Sequence, residues 1–191
     1  MDAGFTNPVY LQQILDGMTP GASHAKLGKV IRDLIAHTSS MLAFLNSRML
    51  TKAGLVIHGA GGTVPKAGSA FCAVANGTLV RKPANTDMSA LAGNLATAKS
   101  ALWAFYIDSA GTITTSAKTA DAASHDAALA LMPAVPAGKA MIGFVVIDNA
   151  TGSNFVGGTT ALDTGSLTVT YYDAIGPGPV APAAVGDLGT R

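Results

Sequence analysis

The sequence predicts a mainly-β protein of the α+β class, in which one amphipathic helix precedes an antiparallel β-sandwich or barrel-like domain with extended terminal arms. Three observations support this class. From about residue 51 onward, apolar residues recur with a period of two between frequent turn signals. The chain contains 22 Gly and 9 Pro but only one Trp, which is typical of a scaffold of short strands and turns. Only residues 23–50 show a long stretch in which apolar residues recur with the helical period of three to four.

These patterns divide the chain into four segments. We predict an N-terminal arm at 1–22, an amphipathic helix at 23–50, a β-rich domain at 51–174 and a Pro/Gly-rich C-terminal tail at 175–191. Breaks such as Asn7-Pro8 and Thr19-Pro20-Gly21 leave the arm too little apolar sequence for a core of its own. The tail cannot build a core either, because Pro and Gly dominate it.

The predicted helix has one apolar side. Ser23 can cap its first turn, and Lys29 and Asp33 lie on the opposite side. The apolar stripe also fits a heptad seam, formed by Leu27, Ile31, Leu34, Thr38, Met41 and Leu45. Two interpretations stay open: the stripe packs on the chain's own domain, or it associates with helices of other copies.

Seven strands are predicted in the β-rich domain, at Gly54–His58, Ser69–Ala75, Thr78–Lys82, Ala101–Asp108, Thr112–Ser116, Met141–Asp148 and Ser166–Tyr172. Asn76-Gly77 is expected to close one hairpin, and Ser109-Ala110-Gly111 another. Two short helices, Asp87–Ala98 and Asp121–Leu131, are expected to interrupt the strands.

Charged side chains are scarce. They make up 12% of the residues, about half the usual share. Residues 1–83 carry eight basic side chains and three Asp, whereas residues 84–191 carry four basic side chains and eight Asp. This charge is too dilute for a nucleic-acid-binding surface, and so neutral a surface favours burial against protein partners.

The first five residues lack the basic-then-apolar order of a signal peptide, and no apolar run has the length of a membrane span. We therefore expect synthesis in a cytoplasm and no membrane partner. Cys72 is the single cysteine, so the chain cannot form an intramolecular disulfide or a multi-cysteine metal site. Its apolar neighbours Phe71 and Ala73 indicate a core residue rather than a nucleophile.

A glycine-rich segment, Gly59-Ala60-Gly61-Gly62, follows the first predicted strand and is similar to phosphate-binding or oxyanion loops. Val64 stands where a dinucleotide motif has its third glycine, and Pro65 follows where a helix would begin. A turn between two strands fits these residues better. His58, beside this turn, is the one histidine that warrants a mutational test, although the sequence supplies no partner base or nucleophile.

The remaining polar residues indicate turns rather than chemistry. His125-Asp126 is expected to be a surface pair, and no two histidines have metal-binding spacing. Asp148-Asn149-Ala150-Thr151-Gly152 and Asp163-Thr164-Gly165 are expected to form Asx turns, with calcium binding as the alternative. We therefore assign no catalytic, cofactor-binding or metal-binding residue, and expect no cofactor and no small-molecule ligand.

Three motifs follow one another between residues 103 and 159. A hairpin begins with Trp103-Ala104-Phe105-Tyr106, and a short Ala/Leu-rich helix then ends in the crossover Pro133-Ala134-Val135-Pro136-Ala137-Gly138-Lys139. The strand Ile142-Gly143-Phe144-Val145 comes next, followed by Phe155-Val156-Gly157-Gly158-Thr159. Gly143 is expected to permit close packing beside a buried strand. This passage resembles a recurrent part of tailed-bacteriophage virion proteins.

The resemblance implies a virion structural protein and not an enzyme, most closely a head decoration (cement) protein that stabilises the viral capsid by bridging capsomers. Its expected partners are itself, as a homotrimer, and the major capsid protein. Candidate capsid-contacting residues in the tail are Ile175, Pro177, Pro179, Val180 and Pro182. The same resemblance also extends to tail-fibre and baseplate components, so a tail-fibre or baseplate component is the alternative within this class.

A carbohydrate-binding β-sandwich is an alternative from a different class. Its sugar-stacking candidates would be Tyr10, Trp103, Tyr106, Tyr171 and Tyr172. Trp103 and Tyr106 fall in an apolar predicted strand, which makes this alternative weaker.

Overall fold

The computed structural model describes residues 27–34 and 46–176. The chain separates into two units, residues 1–41 and residues 42–191, which are described individually. In the first unit, residues 27–34 form helix α1. The predicted arm at 1–22 and most of the predicted tail lie outside the described residues.

The second unit consists mainly of strands, and all their pairings are antiparallel. The strands are β1 Arg48–Met49, β2 Leu55–Ile57, β3 Pro65–Ala67, β4 Phe71–Ala75, β5 Thr78–Lys82, β6 Asn94–Leu95, β7 Lys99–Ile107, β8 Ile113–Thr115, β9 Ala140–Asn149, β10 Phe155–Val156 and β11 Leu167–Asp173. Helix α2, a short helix, spans His125–Leu129. The predicted mainly-β, antiparallel class is confirmed, and the finer sandwich or barrel-like arrangement stays a prediction.

The largest sheet has four strands in the order β11-β9-β7-β8 and is covered on both faces. Its central strands are almost continuously buried, because their alternating side chains enter two separate apolar clusters. One face of β7 places Trp103 and Phe105 in the larger cluster, together with residues of the smaller sheets. The other face places Leu102 and Tyr106 in a second cluster beneath α2.

An irregularity in β9 fixes which side chains enter each cluster. Phe105 pairs with Gly143 and Tyr106 pairs with Met141, so Ile142 is an extra residue on β9. Such a β-bulge resets the alternation of side chains along a strand. As a result Ile142 and Val145, three residues apart, both lie in the larger cluster.

The second sheet has three strands in the order β1-β4-β5. Its β4–β5 hairpin turns at Asn76 and Gly77, whose φ angles are 48° and 76°. Two successive positive φ angles favour Asn-Gly in a two-residue hairpin, so this predicted turn is confirmed. Two small sheets, β2-β3 and β10-β6, are the remaining sheets within residues 46–176.

All seven predicted strands are present, Thr78–Lys82 with its predicted bounds and the other six with shifted ends, but the helical predictions need correction. The predicted helix at 23–50 is wrong at its end, because Arg48–Met49 is a strand paired with β4. The predicted helix Asp87–Ala98 is also wrong: Asn94–Leu95 is a strand paired with β10, and Gly93 and Ala98 have φ angles of 92° and 58°. Backbone in that region cannot continue a right-handed helix.

The second short helix is shorter than predicted. It begins after Ser124, whose hydroxyl accepts a hydrogen bond from the N–H of Ala127 and so caps it. The strands β1, β3, β6 and β10 were not predicted, since two or three residues are too few to show a period.

Candidate functional site

The predicted apolar stripe is described only in part. On α1, Ile31 and Leu34 are 47% and 63% exposed, and Val30 beside them is 59% exposed. Leu27 is half-buried. Thr38, Met41 and Leu45 lie outside the described residues, so the heptad seam stays a prediction.

Two residues close to the ends of the described range 46–176 are hydrogen-bonded to each other. The N–H of Met49 donates to the carbonyl of Gly176, and the N–H of Gly176 donates to the carbonyl of Met49, each at 3.0 Å. This reciprocal pair lies at the edge of the three-stranded sheet. Ile175, the first predicted tail residue, is 59% exposed here, whereas Pro177, Pro179, Val180 and Pro182 lie outside the described residues.

Beside that place, one face of the three-stranded sheet points away from the core. Strand β4 buries Phe71, Ala73 and Ala75 and turns the alternate residues outward. The outward side chains of the three strands and their flanks define what we call the outer sheet face: Arg48, Leu50, Cys72, Val74, Leu79, Arg81 and Ile175. Leu50 and Leu79 are 43% and 51% exposed. The face is an apolar surface flanked by two arginines.

Cys72 belongs to this face and is a partly exposed thiol. It pairs with Arg81 on β5, and its N–H donates to the hydroxyl of Thr51. The expectation that Cys72 fills the core is therefore wrong, because the alternation of β4 places it on the side away from the core.

The glycine-rich segment connects β2 to β3, which pair antiparallel, so the interpretation as a turn between strands is confirmed. The N–H of Gly62 donates to the carbonyl of Gly59, and the N–H of Gly61 donates to the carboxylate of Asp163 at 2.8 Å. A carboxylate of the chain itself therefore occupies the donor that a phosphate or oxyanion would use.

His58, beside this turn, forms a 2.5 Å hydrogen bond between its Nδ1 and Oδ1 of Asp87. The sequence had given no partner for it. Both side chains are about half exposed, at 53% and 52%. Within residues 27–34 and 46–176, no hydrogen bond links His58 to a serine, threonine or cysteine that could act as a nucleophile.

A second histidine lies in a network that the sequence did not indicate. His125, the first residue of α2, contacts Asp148 through Nδ1 at 2.8 Å and the Tyr172 hydroxyl through Nε2 at 2.9 Å. The Tyr172 ring stacks on Phe144 with centroids 4.6 Å apart. The prediction of a His125-Asp126 surface pair is wrong, because His125 instead connects α2 to β9 and β11.

The network is suited to holding the helix against the sheet. An imidazole between a carboxylate and a phenol is fixed in orientation from both sides. The other oxygen of Asp148 is buried without a partner in the described part of the chain. Asp148 and Asn149 also line an adjacent pocket of about 220 Å³.

The two predicted Asx turns differ from their prediction. Asp148 and Asn149 end strand β9. Asp148 contacts His125, and the Asn149 side-chain amide donates to the carbonyls of Leu95 and Ser153, so neither side chain accepts from the backbone of an Asx turn. Asp163 likewise accepts from Gly61 rather than from its own turn. Adjacent strand residues point to opposite faces, so Asp148 and Asn149 cannot ligate one calcium ion together. No cluster of three metal-ligating side chains occurs within residues 27–34 and 46–176.

The predicted Ser109-Ala110-Gly111 turn is present, and an aspartate stabilises it. Oδ1 of Asp108 accepts from the N–H groups of Ala110 and Thr112, at 3.0 and 2.8 Å. Gly111 has a φ angle of 81°, which glycine adopts without strain.

Three titratable groups are perturbed by their surroundings. Burial, and secondarily the charge of Asp163, raises the pKa of Tyr171 to about 12. Burial alone raises the pKa of Tyr106. The hydrogen bond from Lys118 lowers the pKa of the Asp121 carboxyl. These three residues do not contact one another through any hydrogen bond, so they indicate local packing rather than a shared active site.

Comparison with protein-family models, curated proteins and solved structures gives no match to this chain. Neither described helix combines the length and apolar character that crossing a bilayer requires.

Proposed function

We propose that this chain is a structural protein of a tailed-bacteriophage virion, and specifically a head decoration (cement) protein. It would assemble with itself, as a homotrimer, and bind the major capsid protein so as to bridge neighbouring capsomers. The resemblance of residues 103–159 to virion proteins suggests the setting. The observation that supports the role is the Met49–Gly176 pair, which brings the two ends of residues 46–176 to one sheet edge, beside the exposed outer sheet face.

This arrangement suits a protein that connects other proteins. A folded domain covers only its own footprint, whereas segments leaving it can reach neighbouring subunits. If the residues before Asn46 and after Gly176 contact the shell, the sheet edge that joins Met49 to Gly176 would face it and the rest of the domain would project outward. The low charge of the chain fits a surface that is largely buried in an assembly.

Two alternatives keep specific support. A tail-fibre or baseplate component shares the same resemblance, and the exposed apolar residues of α1 would suit a fibre that trimerises through helices. A carbohydrate-binding module is less well supported, because Trp103 and Tyr106 are 0% and 3% exposed and could not stack on a sugar.

Copy number and position in purified virions test the proposal. Cryo-electron microscopy should find many copies at the junctions between capsomers, related by local threefold symmetry. A few copies at a single vertex or along the tail would favour the fibre or baseplate alternative. Absence of the chain from purified particles would overturn the virion proposal altogether.

A further inference from the structure

The outer sheet face exposes apolar side chains that need an explanation. Leu50, Leu79 and Ile175 are each more than two-fifths exposed, at 43%, 51% and 59%. Leu50 and Ile175 flank the Met49–Gly176 pair at the β1 edge, and Leu79 lies two strands away on β5. The partly exposed Cys72 and Val74 of β4 connect them across the face. Contiguous exposed aliphatic side chains on a sheet commonly mark a surface that binds another segment.

Residues 177–191 begin at the edge of this same face. Gly176 is held to Met49 by two hydrogen bonds, so the next residue starts within a few ångströms of β1. The ten residues 177–186 contain no charged side chain, and their composition is Pro, Gly, Ala and Val. Fifteen residues can extend roughly 50 Å, far more than the width of three strands.

We propose that residues 177–191 dock on the outer sheet face of their own chain and cover Leu50, Leu79 and Ile175. Proline-spaced segments have few conformations to lose, so they dock on apolar surfaces at low entropic cost. Attachment at Gly176 gives the segment a high effective concentration, which favours the same chain over a second copy. Ile175 already lies on the face, two residues before the docked segment begins.

This docking does not depend on the proposed function, and it gives the segment a second state if that function holds. In the free protein the segment would cover the outer sheet face. On a shell it would leave the face to contact capsid protein, and the uncovered face would become available to the same partner.

Cys72 provides a direct reporter of this docking. It is the single cysteine of the chain and lies on the outer sheet face between the β1 and β5 strands. The experiment measures the reaction rate of the Cys72 thiol with a maleimide in the full chain and in a chain ending at Gly176. We expect the shorter chain to react about tenfold faster. Burial of a few aliphatic side chains by the docked segment is enough to favour the covered state by about that factor.

A pair of full-length variants avoids dependence on truncation. Val180→Asp introduces a charge into the apolar part of the segment and should accelerate labelling. Ala123→Asp adds the same charge at an exposed position outside both the segment and the outer sheet face, and should not. Equal rates in the full chain, the truncated chain and Val180→Asp would overturn the proposal.

Protein concentration separates the same chain from a second copy. The labelling rate of the full chain should not change on dilution from high micromolar to submicromolar concentration. A rate that rises on dilution would mean that another copy covers the face, and the proposed docking within one chain would be wrong. Both results are obtained without capsids, so they are independent of the virion proposal.

Discussion

Gly143 shows how a single residue sets the spacing of the core. A Cβ built there would lie 2.3 Å from the carbonyl oxygen of Tyr172 and 2.7 Å from Cδ1 of Leu55. The first contact is with backbone of β11, which cannot move without disturbing the main sheet. The expectation that Gly143 permits close packing therefore has a definite cause: β11 and β2 both approach β9 at this point.

Gly143→Ala should therefore lower the free energy of unfolding by about 2–3 kcal/mol, the usual cost of overpacking a core. Urea denaturation followed by circular dichroism measures the change. Gly165→Ala is the matched control, because a Cβ there meets no atom within 4 Å and the variant should be nearly neutral. Equal stability of the two variants would contradict this account of Gly143.

Because of the raised pKa of Tyr171, we expect the free energy of unfolding to fall at alkaline pH. Its pKa is raised to about 12 from the ordinary 10.0, so the folded protein holds the phenol proton more tightly than the unfolded chain does. The stability from this residue is fully present below pH 10 and falls as pH rises towards 12. Two pKa units correspond to about 2.7 kcal/mol, and solvent screening of the half-buried ring reduces this to about 1 kcal/mol.

Tyr171→Phe should remove this part of the alkaline loss. Urea midpoints at pH 9 and pH 11.5 should differ less for the variant than for the native chain. Lysines and the other tyrosines titrate in both proteins, so the difference isolates Tyr171. An identical pH dependence would mean that Tyr171 ionises as readily folded as unfolded.

His58 tests the proposal that the chain is not an enzyme. Because the His58–Asp87 pair is half exposed, His58→Ala should cost less than about 1 kcal/mol and leave assembly unchanged. The native protein should show no hydrolase, transferase or nucleotide-binding activity. A measured turnover that disappears in a normally assembling His58→Ala variant would contradict the structural role.

At the scale of elements, local signals predicted local structure well. The Asn76-Gly77 hairpin and the long strands β7 and β9 carry their information in adjacent residues, as turn chemistry and apolar runs. Two-residue strands carry no such signal, and Arg48–Met49 is a strand because β4 supplies its partner. The interpretation of Asp87–Ala98 as a helix failed for the same reason, since pairing with β10 determines its conformation.

In the candidate site too, features made of consecutive residues could be predicted from the sequence, whereas features made of distant residues could not. The glycine-rich turn was recognisable because its residues are consecutive. The His125–Asp148–Tyr172 network was not, because its hydrogen bonds join residues 23 and 47 positions apart. The outer sheet face likewise requires the register of three strands, which no single segment of sequence specifies.

Helix α1 supplies a prediction at this scale. If its apolar stripe serves association, Leu34→Asp should convert the oligomer to monomers that keep the circular dichroism of a folded β-rich unit. Light scattering measures the mass. Lys29→Asp, on the polar side of the same helix, is the control and should leave the mass unchanged. Unfolding of the Leu34→Asp chain would instead place the stripe against the chain's own domain, because burying an unpaired charge costs several kcal/mol.

At the scale of the whole molecule, the stable core and the proposed attachment lie in different parts of the chain. The two apolar clusters belong to residues 49–162 and are formed by the sheets and α2. The segments proposed to contact the shell precede β1 and follow Gly176. Stability of the domain and strength of attachment should therefore be separable by mutation.

Ending the chain at Gly176 tests this separation. The cut keeps the two hydrogen bonds between Met49 and Gly176, so the melting temperature of the isolated protein should fall by only a few degrees, the amount that loss of the docked segment accounts for. Occupancy on capsids should fall, and those capsids should rupture at a lower temperature, since a ligand that binds only the assembled shell stabilises it by mass action. A chain with residues 177–191 replaced by a Gly/Ser sequence of equal length controls for chain length and should behave like the truncated protein. Full occupancy and full protection by the truncated chain would mean that the segment has no part in attachment, and the cement proposal would then have to rest on the outer sheet face alone.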